Sequence, residues 1–232
     1  MLIYKKIINT IFIFFIMFFF LITSFQIVCF INNNLLNELY NKYNVYEDLC
    51  IDISNEDINI VTNNMMNYLK NKEKDLSAVV TINGEKKEFF SERTKLHFID
   101  VRNLMNNLVD MSYIFLFLSI IYFVIIKYKL KESFMLIWKN YISSLKIIMA
   151  IIALLISVII FNFNNFFITF HHLLFNNDYW ILDPRFDYVI SLLPELLFKD
   201  LTIYILLLFL IIVALFSIFL KTLSRLEAKS AP

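Results

Sequence analysis

The chain has 232 residues, of which 59% are hydrophobic, and its formal net charge is +1. A soluble domain is nearer half apolar, so this composition is typical of a membrane protein. A charge so close to zero provides no strong field for attracting nucleic acid, and we expect no nucleic-acid partner.

Four stretches are long and apolar enough to cross a membrane, which takes roughly 20 residues per helix. They cover residues 7–31, 107–126, 147–167 and 197–220. The first follows two lysines, as a secretory signal peptide does. Its apolar part is much longer than the roughly 7–15 residues of a signal peptide, and no cleavage site of the A-x-A kind follows. We therefore predict four membrane spans, the first of them uncleaved.

The distribution of lysine and arginine predicts the orientation, because basic residues collect on the cytoplasmic side. The segments 1–6, 127–146 and 221–232 carry two, five and three basic residues, with at most one acidic residue each. The segment 32–110 has thirteen acidic and nine basic residues, and 164–200 has five and two. The predicted organisation in chain order is a cytoplasmic N-terminus (1–6), a span (7–31), an extracytoplasmic domain (32–106), a span (107–126), a cytoplasmic loop (127–146), a span (147–167), an extracytoplasmic interfacial segment (168–196), a span (197–220) and a cytoplasmic tail (221–232).

A small domain of mixed helix and strand is predicted between the first two spans. Ser54 begins a variant capping box whose acid is Asp57. Apolar residues then recur at helical spacing, namely Ile58, Val61, Met65 and Leu69. Two strand-like runs flank Asn83-Gly84, a pair that favours the type I′ turn of a β-hairpin because both positions need positive φ. The expected fold class is a mainly α membrane protein with four transmembrane helices and a small α+β extracytoplasmic domain.

Two further helices flank the candidate site in the sequence. One helix is predicted to begin at Ser91 and to continue into the second span. Four residues at helical spacing lie on one face of it, namely His97, Val101, Leu104 and Leu108. The other is a short interfacial helix over 186–193. Aromatic residues suited to the headgroup layer accompany it, namely Tyr179, Trp180 and Tyr188. Pro194-Glu195 is predicted to form the first turn of the last span.

All three histidines fall on the predicted outer side, namely His97, His171 and His172. His97 lies roughly 10 residues before the second span, about 15 Å along a helix. His171 lies just past the third span, so the two could meet near the lipid headgroups. Each could equally be an interfacial residue whose polar tip reaches water. The residues alone leave both interpretations open.

The neighbours of His97 suggest chemistry. Arg93 precedes it by four residues and Asp100 follows it by three, so both can share its helical face. The aspartate could fix the imidazole tautomer and the arginine could stabilise an oxyanion. A surface ion pair of little energetic value is the equal alternative. Arg102 faces elsewhere, and we expect it to contact a phosphate or solvent.

Other features restrict the kind of chemistry. Asp183, with Asp187 nearby, could bind a histidine or cap the short helix, and capping is the favoured role. The sequence has no G-x-S-x-G elbow, no H-E-x-x-H motif and no glycine-rich phosphate loop. No charged residue falls near the middle of a span, which argues against an ion pathway. An enzyme of this composition would use histidine at the outer interface on a lipid-like substrate.

The segments "SERTKLHFIDVRNL" (91–104) and "FHHLLFNNDYWILDP…LLP" (170–194) follow two patterns. They resemble the H-x-x-D-V-[KR] element and the F-H-x-x-F-F, W-x-[FL]-D and proline elements of the bacterial lipoprotein intramolecular transacylase family, called Lit. The matching residues are His97, Asp100, Val101, Arg102, Phe170, His171, Phe175, Trp180, Asp183 and Pro194. The chain departs from the pattern at Thr94, where relatives have glutamate, and at Asn176-Asn177-Asp178, where relatives tend to have glycine.

The resemblance implies a reaction. One acyl chain leaves the glyceryl ester of a diacylglyceryl-modified lipoprotein and joins the α-amino group of its N-terminal cysteine, giving the lyso form. It implies a site on the outer face of the bacterial cytoplasmic membrane, with the lipoprotein and membrane lipid as partners and no cofactor. His97 inherits the place of the base and His171 that of the oxyanion or leaving-group partner. The reverse assignment and an acyl-histidine intermediate are equally allowed. The supporting residues implied are Arg93, Asp100, Arg102, Phe170, Trp180 and Asp183.

Two rival interpretations remain at this point. A non-catalytic accessory or chaperone-like subunit would tolerate alanine at His97 and His171 but not on the hairpin face over 79–90. A zinc protein would use the three histidines, but adjacent histidines are hard to aim at one ion, and we predict no metal site. For Cys29 and Cys50 we expect two free thiols, with a disulfide as the other possibility.

Overall fold

The computed structural model describes residues 2–31, 35–49 and 51–230. The chain forms two compact units. One contains the described residues of Met1–Phe25, Leu108–Asn162 and Tyr204–Pro232, and the other contains those of Gln26–Asn107 and Phe163–Ile203. We call them the span unit and the site unit, because the first holds most of the apolar helices and the second holds all three histidines.

Long apolar helices dominate the span unit. They are α1 (Leu2–Gln26), α5 (Glu92–Val124), α6 (Phe134–Phe161) and α9 (Glu195–Ser230), and π-helical turns extend α1 over Ile27–Ile31 and α5 over Ile125–Lys129. Four segments of the described chain are long and apolar enough to cross a membrane, namely Ile7–Ile31, Glu92–Lys129, Phe134–Leu154 and Glu195–Ser230. The predicted number of spans is therefore confirmed.

Only part of α5 is suited to lipid. Residues 92–106 of this helix include five charged side chains, whereas 107–126 include one. A charged side chain in the hydrocarbon layer is costly, so we take 107–126 as the membrane-spanning part. Residues 92–106, which include His97, then lie outside the spanning segments.

Polar side chains pair inside the span unit. The Thr10 and Ser144 hydroxyls are 3.0 Å apart, and the Tyr141 hydroxyl is 2.8 Å from that of Ser217. Apolar packing alone associates helices weakly in lipid, so hydrogen bonds of this kind help to hold them together. An apolar cluster that includes Tyr141 completes the packing, with Met17, Ile148, Phe209, Val213 and Leu220.

Several predicted boundaries around the third and fourth spans differ from the helices observed. We expected a loop over 127–146, but α6 begins at Phe134, because Ser133 caps it: its carbonyl accepts from Ile137 N–H at 3.1 Å and its hydroxyl from Leu136 N–H at 3.3 Å. The expected third span, 147–167, crosses the end of α6 at Phe161. The last helix continues through the expected tail to Ser230. The distribution of basic and acidic residues indicates on which side of a membrane a segment lies, but it does not indicate the residue at which a helix begins.

The site unit contains the shorter elements. They are α2 (Leu35–Lys42), α3 (Val45–Asp48), α4 (Asn55–Leu69), β1 (Val79–Ile82), β2 (Glu85–Glu88), α7 (Phe163–Leu174) and α8 (Val189–Leu192), with the first residues of α5 and α9. Its core joins buried residues of both chain segments, among them Tyr40, Val61, Phe89, Leu192 and Leu197. We expected 32–106 to form a domain by itself, but residues around 189–197 pack into the same core because their apolar side chains need a partner surface.

The local predictions in this unit hold. The Ser54 hydroxyl accepts from Asp57 N–H at 3.0 Å and starts α4. Strands β1 and β2 pair antiparallel with Ile82 opposite Glu85. Between them Asn83 has φ 53° and Gly84 has φ 80°, as a type I′ turn requires.

The helix boundaries around residues 186–195 differ from those expected. Helix α8 covers only Val189–Leu192 of the predicted 186–193. Helix α9 starts at Glu195, and Pro194 stands just before it, with its carbonyl accepting from Leu197 N–H at 3.0 Å. Pro194 therefore caps the helix instead of lying within its first turn.

Candidate active site

The structure brings His97 and His171 together. His97 comes from α5 and His171 from α7, and their ring centroids are 6.0 Å apart. Phe175 contacts both rings, at 5.4 Å from His97 and 5.8 Å from His171. Two imidazoles thus share one apolar pocket wall, although 74 residues separate them in the chain (171 − 97).

His171 has a defined tautomer. Its side chain is only 8% exposed, and its Nδ1 lies 2.7 Å from the carbonyl oxygen of Phe167. A carbonyl can only accept, so Nδ1 carries the proton and Nε2 keeps a lone pair. Burial lowers the pKa of His171 below its ordinary value; the Phe167 hydrogen bond opposes this, and the neighbouring His172 adds to it. At neutral pH the ring is therefore a neutral base with a free Nε2.

His97 is the more strongly perturbed of the pair. Burial, reinforced by the nearby His171, lowers its pKa to about 4, and the negative charge of Asp100 opposes the shift only weakly. Its Nδ1 is buried and has no hydrogen-bond partner among the described residues. His97 is therefore neutral at neutral pH, and its Nδ1 is unpaired within the described part of the chain.

Trp180 packs between the histidines of α7. Its indole stacks on His171 with centroids 4.9 Å apart and planes inclined by 28°. His172 meets the same indole at 4.9 Å and 88°. The indole Nε1 is buried and without a hydrogen-bond partner in the described part of the chain. Phe170 also contacts the His171 ring, with centroids 5.6 Å apart and planes inclined by 81°.

Asp100 and Arg93 hold the loop 176–180 that carries Trp180. The Asp100 carboxylate accepts from the Asn177 amide at 2.9 Å, and the Arg93 guanidinium donates to the carbonyl of Asp178. Asp100 therefore binds Asn177, while the Nδ1 of His97 has no partner among the described residues, and the role suggested for Arg93 at an oxyanion stays a prediction. Asn177 was missed by the sequence argument, although an asparagine whose Oδ1 accepts from the N–H two residues on, here at 3.1 Å, is a known turn former.

Arg102 lies away from the two histidines and braces α5 against α4. Its Nη1 donates to the carbonyl of Lys74 at 3.2 Å, and its guanidinium stacks 4.0 Å over the Tyr68 ring. Arg102 thus contributes to the fold, and its expected contact with solvent or a phosphate stays a prediction.

Asp183 and Asp187 have different roles. Asp183 pairs with Arg185 at 2.5 Å, and this hydrogen-bonded partner lowers the pKa of Asp183 to about 2. Asp187 is only 4% exposed and binds the start of α5. Its Oδ1 accepts from the Ser91 and Thr94 hydroxyls, and its Oδ2 from Asp183 N–H at 2.9 Å. The acid that binds the start of the His97 helix is thus Asp187, for which the sequence argument considered histidine binding and helix capping and favoured capping.

Metal and disulfide chemistry have few candidate residues. Among the described residues no group of three His, Cys, Asp or Glu side chains is placed to hold a metal ion. Cys29 is a free cysteine, and Cys50 lies outside the described residues. The chemistry available to the site is therefore that of two neutral imidazoles and an unpaired indole N–H in apolar surroundings.

Comparison with known proteins identifies related chains. The family model "Lipoprotein intramolecular transacylase Lit" matches residues 10–198. No curated protein sequence matches the chain. An in meso structure of the membrane integral lipoprotein intramolecular transacylase Lit from Bacillus cereus aligns with TM-score 0.71 and 23% identity over 97% of each chain. Two further structures of that protein carry a histidine replacement, and both align with TM-score 0.69 over 97% of this chain. The alanine variant is 24% identical over 94% of its own chain. The arginine variant is 23% identical over 93% of its own chain. The structural likeness shows a shared fold.

Proposed function

The chain belongs to the lipoprotein intramolecular transacylase Lit family, and from this membership we propose which bond the enzyme forms and which residues catalyse the reaction. It is an acyltransferase and a multi-pass membrane protein. We propose that it moves one acyl chain from the glyceryl ester of a diacylglyceryl-modified lipoprotein to the α-amino group of that lipoprotein's N-terminal cysteine. Family membership leaves no observation in favour of the non-catalytic accessory role.

The observation that carries the proposal is the pair of neutral imidazoles, that of His171 buried and that of His97 half-buried, with ring centroids 6.0 Å apart. The α-amino group has an ordinary pKa of about 7.7–8.0, so part of it is a neutral nucleophile at physiological pH. Amine and ester belong to one molecule, and holding them together supplies much of the rate. A base near the amine and a donor near the ester oxygen complete the requirements for acyl transfer.

The hydrogen bonding favours His171 as the base, which reverses the assignment drawn first from the sequence. The Nε2 lone pair of His171 can take a proton. Its Nδ1–H donates to the Phe167 carbonyl, and this hydrogen bond orients the ring and stabilises the imidazolium that forms. Burial lowers the pKa of His97 to about 4, so His97 is the more strongly perturbed and the weaker base of the two. A neutral imidazole can instead donate an N–H to a developing oxyanion.

The reaction then balances without another reagent. The amine nitrogen attacks the ester carbonyl carbon, and His171 removes the proton that this nitrogen loses as the N–C bond forms. The negative charge on the former carbonyl oxygen is held by an N–H of His97. The intermediate collapses, the bond from carbonyl carbon to glyceryl oxygen breaks, and His171 returns the proton to that oxygen. The products are an amide and a free glyceryl hydroxyl, which is the lyso form.

The proposed location is the bacterial cytoplasmic membrane, with both termini in the cytoplasm and the site on the outer face, among membrane lipids. The excess of basic residues in 1–6, 127–146 and 221–232 supports this orientation. Lipoprotein substrates anchored in the outer leaflet would then reach the histidines with their glyceryl esters. Cysteine-accessibility labelling of exposed positions such as Ser230 and Glu92 tests the two sides.

The experiment that tests the reaction uses cells that lack other N-acylating activity and express the wild-type chain, His171→Gln, His97→Gln or the matched control His172→Gln. Mass spectrometry of the N-terminal lipopeptide reports where each acyl chain lies. We expect the lyso form with wild type and His172→Gln, a loss of about 10²–10⁴-fold with His171→Gln, and a loss of about 10²-fold or more with His97→Gln. Diacyl lipopeptide alone from a well-expressed wild type would refute the proposed function.

A further inference from the structure

The indole N–H of Trp180 is a buried donor without a partner. Native proteins satisfy nearly all such groups, and an exception calls for a reason, which at an active site is often catalytic. Its Nε1 is unpaired among the described residues, as is the Nδ1 of His97. Both atoms belong to residues that contact one ring, since His171 lies 6.0 Å from His97 and 4.9 Å from Trp180 between centroids. Two unpaired polar atoms thus lie next to one proposed base, and a polar group of the substrate that entered between these rings would satisfy them.

The position of Trp180 is fixed by its own loop. The Asn177 amide donates to Asp100 at 2.9 Å, and Arg93 donates to the carbonyl of Asp178, two residues before the tryptophan. The stacking on His171 restrains the ring itself. A donor held in this way needs no reorganisation when charge develops on the substrate, and this is the condition under which donors stabilise a transition state most.

We propose that Nε1–H of Trp180 donates a hydrogen bond to the carbonyl oxygen of the glyceryl ester and stabilises the oxyanion formed there. The inference rests on the proposed transacylase function. Trp180 is then a catalytic residue, and with His97 it forms an oxyanion site of two neutral donors. No atom changes bond in this contact: the N–H stays on the indole while the carbonyl carbon gains and then loses its fourth bond.

A neutral donor suits this site better than the arginine that the sequence suggested. Arg93 is engaged with the carbonyl of Asp178. A guanidinium beside His171 would also oppose the positive charge that this ring acquires as it takes the proton from the amine. An indole N–H stabilises the oxyanion without that penalty, so base and oxyanion donor can lie side by side.

The chain has two tryptophans, Trp138 and Trp180, which makes an atom-level test feasible. Trp138 belongs to the span unit, where it stacks on Tyr141 at 5.8 Å. In a Trp138→Phe background, expression in a tryptophan auxotroph with benzothienylalanine replaces only the indole of Trp180 by a ring of the same shape without N–H. Expression with 5-fluorotryptophan keeps the N–H and is the matched control.

We expect the benzothienyl enzyme to lose kcat by about 10²-fold with KM changed less than twofold, because the hydrogen bond to the ester carbonyl is weak and strengthens as the oxyanion forms. The 5-fluorotryptophan enzyme should keep the kcat of Trp138→Phe. A kcat within twofold for the benzothienyl enzyme overturns the role of Trp180 and leaves the proposed function intact. A wild-type enzyme that forms no lyso product would instead refute the proposed function.

A binding measurement keeps the test independent of folding defects. In the Trp138→Phe protein labelled with ¹⁵N-tryptophan, a single indole N–H resonance reports on Trp180. Adding an N-acetylated dipalmitoylglyceryl-cysteine peptide, which cannot react because its amine is blocked, should move that proton resonance downfield as the hydrogen bond forms. An unchanged resonance at saturating peptide would overturn the proposal.

Discussion

Asp187, not Asp183, is the acid on which the candidate site depends, and this distinction can be tested directly. The Asp187 carboxylate is 4% exposed and binds the Ser91 hydroxyl, the Thr94 hydroxyl and the Asp183 N–H. Ser91 also accepts from Thr94 N–H at 3.0 Å, so the carboxylate lies at the N-terminus of α5, where negative charge is favoured. His97 follows Thr94 by three residues and is positioned by the same turn.

The change Asp187→Asn removes the charge and keeps the shape. The amide oxygen can still accept from Asp183 N–H, and the amide nitrogen can donate to the Ser91 hydroxyl, which can rotate. Each charge-assisted bond, worth roughly 1.5–3 kcal/mol, is replaced by a neutral one worth roughly 0.5–1.5 kcal/mol. The helix N-terminus also loses roughly 0.3–1 kcal/mol. With the Ser91 and Asp183 bonds and the helix contribution counted, we expect a destabilisation of about 2–4 kcal/mol, which corresponds to a fall of roughly 4–16 °C in the melting temperature for a chain of this size.

The assay is thermal unfolding of purified protein in detergent, followed by intrinsic fluorescence, together with the transacylase rate. Asp183→Asn is the matched control, because Asp183 is paired with Arg185 at the surface and asparagine preserves its turn. We expect no detectable change in melting temperature for this control. Asp187→Asn should also lower kcat about tenfold as His97 loses its fixed position. Equal destabilisation by the two variants, or a larger effect of Asp183→Asn, would refute the reasoning.

Three further predictions follow from single groups. Gly84 has φ 80°, and a Cβ added there would meet nothing within 4 Å. Gly84→Ala should therefore lower the free energy of unfolding by about 1–2 kcal/mol through backbone strain alone. Urea unfolding should show a smaller decrease for Gly84→Asn. His172 lowers the pKa of His171, so His172→Gln should shift the acid limb of kcat/KM to higher pH and leave the rate at pH about 8 unchanged. Burial lowers the pKa of His97 from 6.5 to about 4, so on acidification the unfolded chain binds a proton at this residue before the folded chain does. The free energy of unfolding should therefore decrease as the pH falls from about 6.5 to about 4. His97→Asn should flatten this pH dependence.

The sequence was a good guide wherever the decisive interaction is local. The Ser54 cap and the Asn83-Gly84 turn each depend on residues within four positions, and both are present as expected. The pairing of His97 with His171 is not local, but it follows from two patterns placed at neighbouring ends of predicted spans. Helical periodicity from Ser91 likewise carries into α5 without a break.

The sequence failed where the partner is distant. Asp187 is 96 residues from Ser91, and nothing in the local pattern distinguishes it from Asp183. Asp100 is 77 residues from Asn177, so its hydrogen bond could not be foreseen, and the carboxylate was assigned to the nearer His97 instead. Burial also decides protonation here, and the low pKa of His97 depends on which side chains cover it in three dimensions.

The protonation states of the site agree with an intramolecular transfer that does not begin by removing a proton. His171, with its lowered pKa, is a weaker base than a free α-amino group and cannot deprotonate the ammonium form efficiently. In the proposed reaction the neutral fraction of the amine therefore attacks, and its N–H becomes acidic only as the N–C bond forms, when a weak base suffices. Burial keeps His171 neutral and available for that moment, and it keeps His97 neutral so that no second positive charge opposes the imidazolium. The apolar wall of Phe170, Phe175 and Trp180 thus sets the chemistry as well as the shape of the site.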